Sequence, residues 1–135
     1  MISYVTVGVD DIDRAKRFYS SFLIPLGYEI EESDEGLGFT LPDQSPLSTT
    51  LYVRHTFDGR PATAGNGTMI AFKARSQKQV RALHAAALAA GGSDEGQPGF
   101  RDLYGPYFYV GYLRDPQGNK IALLSNDRSE PGRDD

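Results

Sequence analysis

Cysteine is absent from the 135 residues, which excludes disulfides, thiolate metal sites and cysteine nucleophiles outright. Histidine occurs only twice, as His55 and His84. Basic residues are outnumbered, 14 Lys and Arg against 18 Asp and Glu, for a net charge of -4. They are scattered rather than clustered, so the electrostatic footprint that nucleic acid needs is missing and no nucleic-acid partner is expected. No apolar run approaches the length that spans a bilayer, and no signal-peptide pattern precedes the first strand. The expectation is a cytoplasmic protein without a membrane partner. With 39% hydrophobic residues, the chain is long enough to bury one real core.

The chain falls roughly back onto itself when shifted by 65 positions. The first copy runs Tyr4-Val5-Thr6-Val7-Gly8-Val9 and then an apolar ladder of Ala15, Phe18, Tyr19, Phe22 and Leu23. The second runs Met69-Ile70-Ala71-Phe72-Lys73-Ala74 and then Val80, Leu83, His84, Ala87 and Leu88. Both ladders have the spacing i, i+3, i+4, i+7, i+8, which puts five side chains on one stripe of a helix. A period this long marks a repeated supersecondary unit and not a solenoid turn.

Asp10 or Asp11 is expected to cap the first helix and Ser76 the second, with Pro25 and Gly91-Gly92 as their stops. Strands are expected over 28–32, 38–41 and 47–54 after the first helix, with a turn at Pro42-Asp43-Gln44-Ser45-Pro46 and a loop over 55–67. After the second helix a weak segment near 94–97 precedes strands over 107–114 and 119–124. The last two are joined by the turn Asp115-Pro116-Gln117-Gly118-Asn119. Polar and charged, the stretch beyond residue 125 is expected to fray as a flexible tail over 126–135.

This doubled βαβββ order resembles the vicinal oxygen chelate superfamily, which includes glyoxalases, bleomycin resistance proteins and extradiol dioxygenases. The likeness rests on Met1 to Val9, the helix Asp13-Arg14-Ala15-Lys16-Arg17-Phe18-Tyr19, the exit Pro25-Leu26-Gly27-Tyr28, the stretch Phe57 to Thr68, and Arg114-Asp115-Pro116-Gln117-Gly118-Asn119-Lys120-Ile121. It implies an α+β fold: one domain over 1–125, with modules of about 1–55 and 67–125, forming a curled mixed sheet with helices on its back. The resemblance also implies a hollow front where substrate binds around one divalent metal.

Strand alternation assigns the faces. Val5, Val7 and Val9 are expected against the first helix, which turns Tyr4 to the front. Ile70 and Phe72 are expected against the second helix, which turns Met69 forward, and Ile121 and Leu123 leave Ala122 forward. By resemblance these three are the positions of the family's metal ligands: a His in the first strand, a His in the fifth, a Glu in the last. Tyr4, Met69 and Ala122 replace them, and no carboxylate occurs around Thr50 to Arg54, where the fourth ligand would lie. A phenol with a pKa near 10, a thioether and a methyl group do not hold a hard divalent cation, so no metal or other cofactor is expected.

The remaining candidates are weighed by residue type. His84 falls on the apolar stripe and is expected to be a hydrogen-bonded core residue. His55, at the end of the fourth strand, is a candidate acid/base group with Tyr4. Tyr107 and Tyr109 are expected to share the front face, with Phe108 and Tyr112 nearer the core, and tyrosine-rich walls suit a small organic ligand. Arg54, Arg101 and Lys120 are available to an anionic ligand. The candidate ligand-binding residues are thus Tyr4, Arg54, Met69, Tyr107, Tyr109 and Ala122. The sequon Asn66-Gly67-Thr68 and the acidic run from Glu29 to Glu35 are read as chance and as a solvated surface.

Three functions fit. The first is metal-independent binding of a small organic molecule in the hollow, as the family's drug-sequestering members do. The second is an enzyme resembling lactoylglutathione lyase or a dioxygenase but using another acid/base or metal arrangement. The third is a protein-interaction module. A homodimer is expected, because short members of the superfamily pair and open sheet edges need covering.

Overall fold

The computed structural model describes residues 1–44 and 47–135. The order is β1 (Tyr4–Gly8), α1 (Ile12–Leu23), β2 (Glu29–Ser33), β3 (Gly36–Thr40), β4 (Thr50–Arg54), β5 (Met69–Lys73), α2 (Gln77–Ala89), β6 (Ser93–Phe100), β7 (Tyr109–Arg114) and β8 (Lys120–Ser125). Each half of the chain forms its own four-stranded mixed sheet, ordered β1-β4-β3-β2 in the first and β5-β8-β7-β6 in the second. The first and last strands of each half pair in parallel, and the other neighbours are antiparallel. The expected turn over 42–46 includes Ser45 and Pro46, which lie outside the described residues. Pro42–Gln44 forms one 3-10 turn.

The helical ladders pack as their spacing requires. Ala15, Phe18, Tyr19, Phe22 and Leu23 are buried on α1, and Val80, Leu83, His84 and Ala87 on α2. Asp11 caps α1 by accepting from Arg14 N at 3.0 Å, and Ser76 caps α2 by accepting from Gln79 N at 3.0 Å, each satisfying an otherwise orphan donor. At the other end of α2, Gly91 takes φ +109, a left-handed conformation that glycine enters without a Cβ clash. Among the described residues no helix is long and apolar enough to cross a membrane.

The two helices touch one another, and the backs of both sheets line one core with them. Phe22 of α1 meets Phe72 of β5 with ring centroids 5.6 Å apart, so the halves share apolar packing as well as sequence. The front faces are consequently turned away from this common core.

A polar clamp joins the halves at one end. The buried Asp115 carboxylate accepts from Gln117 N at 2.9 Å, Asn119 N at 2.8 Å, Asn119 Nδ2 at 2.9 Å and the Tyr19 hydroxyl at 2.6 Å. Asn119 Nδ2 also donates to Gly8 O at 3.1 Å, and Gln117 Oε1 accepts from Asp10 N at 2.8 Å. The Asp-Pro-Gln-Gly-Asn turn of the second half is thereby fastened to the end of β1 and to α1. Burial, and then the Asp115 charge, raise the Tyr19 pKa well above the ordinary value of 10.0. The folded state therefore holds this proton more tightly than the unfolded chain. That contribution is intact below pH 10 and is lost as pH rises from there through the raised folded value. In a thermal melt series the wild type should lose Tm above about pH 10 more steeply than Tyr19→Phe does.

Two expectations are corrected. The segment near 94–97 is a full strand of eight residues, β6, whose pairing with β7 shifts register at Gly96 and Gly99. Pro98 falls between those shifts, where the ladder is already interrupted, and this conceals the strand from a pattern of alternation. The tail over 126–135 is fastened down. Glu130 Oε1 accepts from Gln77 N at 2.9 Å, supplying a partner to the N-terminal turn of α2. Arg133 donates to Arg101 O at 2.9 Å and Tyr104 O at 2.7 Å, and Gly132 is buried against Tyr107. Glu130 and Arg133 thereby find backbone partners, while residues 126–129 remain exposed.

Candidate functional site on the open sheet faces

Register places Tyr4, Thr6, Thr50, Tyr52 and Arg54 on the front of the first sheet, because Val5, Val7, Leu51 and Val53 fill its back. Tyr4 is 62% exposed and stands edge-on to Tyr52, with ring centroids 5.4 Å apart. Gly38 lies opposite Tyr52 in the pairing, and its hydrogen leaves room for that ring. Arg54 lies 5.8 Å above the Tyr52 ring and pairs with Glu35 at 2.6 Å, so its charge is already balanced.

On the second sheet the front carries Met69 and Ala71 of β5, Lys120 and Ala122 of β8, and Tyr112 of β7. Met69 is 43% exposed and pairs with Lys120. Ala122 lies between Ala71 and Tyr112 and is only 1% exposed, a small floor residue among larger neighbours. The expected front residues therefore do face forward, but on two sheets whose fronts turn away from one shared core. Tyr4 thus lies on a different sheet from Met69 and Ala122.

The aromatic assignment in β7 is reversed. Tyr109 is 8% exposed and belongs to the core, packing on Phe100 at 5.2 Å and accepting from Arg81 of α2 at 3.3 Å. Tyr112 is the front residue. The residue that fixes this parity is Leu113, fully buried two strand steps from Gly111, where a Cβ would stand 2.9 Å from the His84 ring. Only glycine lets α2 bring His84 so close to the sheet. Tyr107 lies before β7 and is occupied by the tail, with Gly132 against its ring and Arg128 5.4 Å above it.

The histidines divide as their contexts dictate. His84 is 2% exposed, and its Nε2 lies 3.0 Å from Tyr112 O and 3.3 Å from Asp94 Oδ1, a satisfied core residue. Asp94 is held below the ordinary carboxylate range, chiefly by the Gly96 N–H and then by Gln97. His55 is exposed and borders a shallow cavity of about 370 Å³ with Asp10, Thr56 and Arg60. It is not near Tyr4. Tyr4 pairs with Thr50, and His55 lies five residues further along the same direction, roughly 16 Å away at strand rise. The Tyr4/His55 acid/base pair does not form within the chain.

A cavity of about 690 Å³ opens in the cleft between the halves, bordered by Tyr28, Leu41, Lys73 and Asp127. It lies beside the core edge, where Leu26 and Ala74 also line it. Among the described residues no group of three or more His, Cys, Asp or Glu side chains can hold a metal ion. The side chains at the sites singled out above, Tyr4, Met69 and Ala122, with Tyr52 now identified as the forward residue of β4, do not fit a hard divalent cation. Sequence reasoning missed Tyr52 and Tyr112, although their strict alternation with Val53 and Leu113 was the available signal.

Comparison with known proteins agrees with this architecture. The sequence pattern of the Glyoxalase/Bleomycin resistance protein/Dioxygenase superfamily matches residues 1–123. A crystal structure of a glyoxalase/bleomycin resistance protein from Albidiferax ferrireducens T118 is 40% identical, with a TM-score of 0.80, covering 93% of this chain and 98% of that one. A glyoxalase-related enzyme from Fulvimarina pelagi is 20% identical, with a TM-score of 0.69 over 93% and 87% of the two chains, and shares the fold. So does a glyoxalase/bleomycin resistance protein/dioxygenase family enzyme from Burkholderia phytofirmans PsJN, at 20% identity and a TM-score of 0.70 over 93% and 98%. No match to a protein of curated function was found. With the doubled βαβββ order, the two open fronts and a family pattern spanning nearly all of it, the chain belongs to the glyoxalase/bleomycin resistance protein/dioxygenase superfamily.

Proposed function

We propose that the protein binds a small planar organic molecule between the front of the first sheet of one copy and the front of the second sheet of another, without the family's divalent metal. The observation that carries this reading is the replacement of a ligand set by an aromatic and apolar wall. Tyr4 and Tyr52 form an edge-on pair on one front, and Met69, Ala122 and Tyr112 line the other. Such walls give a flat ligand contact area, and the hydroxyls orient it. The homodimer follows from the same geometry. Two fronts that face away from a common core enclose a hollow only when copies are juxtaposed, and large exposed side chains such as Ile2, Tyr4 and Met69 are then covered.

The test combines elemental analysis with titration. Protein purified without chelator should carry no stoichiometric divalent metal. A planar probe, 1-naphthoate, should bind, and Tyr4→Ala or Tyr112→Ala should each weaken it by roughly fivefold or more. Tyr19→Ala should lower Tm and leave the affinity of the folded fraction intact. Binding that Tyr28→Ala abolishes while Tyr4→Ala and Tyr112→Ala leave it unchanged would move the ligand to the cleft between the halves. Near one metal per chain would overturn the metal-free reading.

A further inference from the structure

Charge on the two fronts is balanced differently. On the first, Arg54 is neutralised by Glu35 at 2.6 Å. At the rim of the second, Arg114 pairs with Glu95, also at 2.6 Å. Arg101 and Lys120 have no carboxylate partner among the described residues, although acids outnumber bases in the chain as a whole. Both are directed to one ring: Arg101 Cζ lies 5.4 Å from the Tyr112 centroid and Lys120 Nζ 5.3 Å from it.

Arg101 is held in place by the backbone. Nη2 donates to Gln97 O at 2.9 Å and Nη1 to Phe100 O at 3.2 Å. The guanidinium lies across Gly96 and Gly99, where added Cβ atoms would stand 3.2 Å and 3.4 Å from its nitrogens. Two of its five donors are thus committed, and the others remain available to a planar oxyanion. The Lys120 ammonium makes no hydrogen bond or ion pair among the described residues, and its three N–H groups are a second set of donors. The floor beside them is apolar: Met69 pairs with Lys120, and Ala122 with Tyr112. The Tyr112 hydroxyl keeps its proton, since burial and then the neighbouring Tyr104 raise its pKa above 10.0.

We infer that the ligand is a carboxylate borne on a planar apolar body, with Arg101 and Lys120 receiving the carboxylate and Tyr112, Met69 and Ala122 supporting the ring. This rests on the proposed binding between the open fronts and specifies its chemistry. Two cations beside one ring, neither with a carboxylate partner among the described residues, attract an anion there, and a ring already flanked by two cations disfavours a third positive charge. The site therefore selects against cationic and neutral analogues of the same shape.

The test compares 1-naphthoate with its neutral isostere 1-naphthamide by calorimetry on wild type, Arg101→Gln and Lys120→Gln, all as purified dimer. Wild type should prefer the carboxylate by roughly tenfold, a preference that shrinks at about 0.5 M salt. Each variant should lose most of that preference while binding the amide as wild type does. Equal binding of both compounds to wild type would overturn the anion assignment and leave the small-molecule reading standing. Failure of both compounds to bind would overturn the two together. A preference that persists in both variants would overturn the assignment to these residues. Two separate variants keep the outcome informative should Arg101→Gln loosen the 97–101 backbone.

Discussion

Asp115→Ala is expected to lose about 4 kcal/mol of folding stability, lowering Tm on the order of 10 °C or more. Four donors converge on this one carboxylate, from Gln117, Asn119 twice, and Tyr19. Removing it leaves the Tyr19 hydroxyl unpartnered in the core and frees the turn whose neighbours hold Gly8 and Asp10. A buried donor without a partner costs about 1–3 kcal/mol, and here more than one is orphaned. Tyr19→Phe deletes a single hydroxyl and should cost about 1 kcal/mol, because three donors remain on the carboxylate. Asp115→Asn should fall between the two. Chemical denaturation of the three variants checks the order. An Asp115→Ala protein within about 0.5 kcal/mol of wild type would show that the turn does not fasten the halves together.

Helical ladders were legible because their signal is local: five apolar positions at fixed spacing must share a stripe wherever the helix goes. The caps were legible for the same reason, except that the sequence left Asp10 and Asp11 as alternatives and the structure assigns Asp11. Strand β6 was not, since Gly96, Pro98 and Gly99 each weaken alternation and only pairing with β7 holds them extended. Tyr109 and Tyr112 were exchanged because aromatic side chains suit either face of a sheet, and the decisive parity belonged to the less conspicuous Leu113. The tail read as solvated from composition, yet Glu130 and Arg133 find backbone partners that no local pattern announces. At the candidate site, the forward direction of Tyr4, Met69 and Ala122 followed from alternation. Their separation onto two sheets did not, because a repeat fixes equivalent positions within modules and says nothing about which faces meet. That Arg101 and Lys120 have no carboxylate partner among the described residues was equally invisible, being a property of register and of which acids Arg54 and Arg114 had already taken.

The second large effect is the creation of a metal site where none is expected. Tyr4→His, Met69→His and Ala122→Glu together place two imidazoles and a carboxylate on the two fronts, a three-ligand open set suited to Ni²⁺ or Zn²⁺ with water completing the shell if the fronts meet as proposed. The triple variant should be less stable than wild type, because a charged side chain enters the tight place of Ala122, and metal should restore part of the loss.

Splitting those substitutions between two chains tests the central claim. One chain carries Tyr4→His alone, the other Met69→His with Ala122→Glu, and the two are co-expressed with different affinity tags so that mixed dimers can be isolated. Hollows formed between copies predict that the mixed dimer binds about one Ni²⁺ per dimer by calorimetry, against about two for the triple variant. The parental homodimers, with one or two ligands at each hollow, should bind far more weakly. A mixed dimer that binds no better than its parents, beside a triple variant that binds metal tightly, would contradict the account, because the three positions would then meet within a single chain.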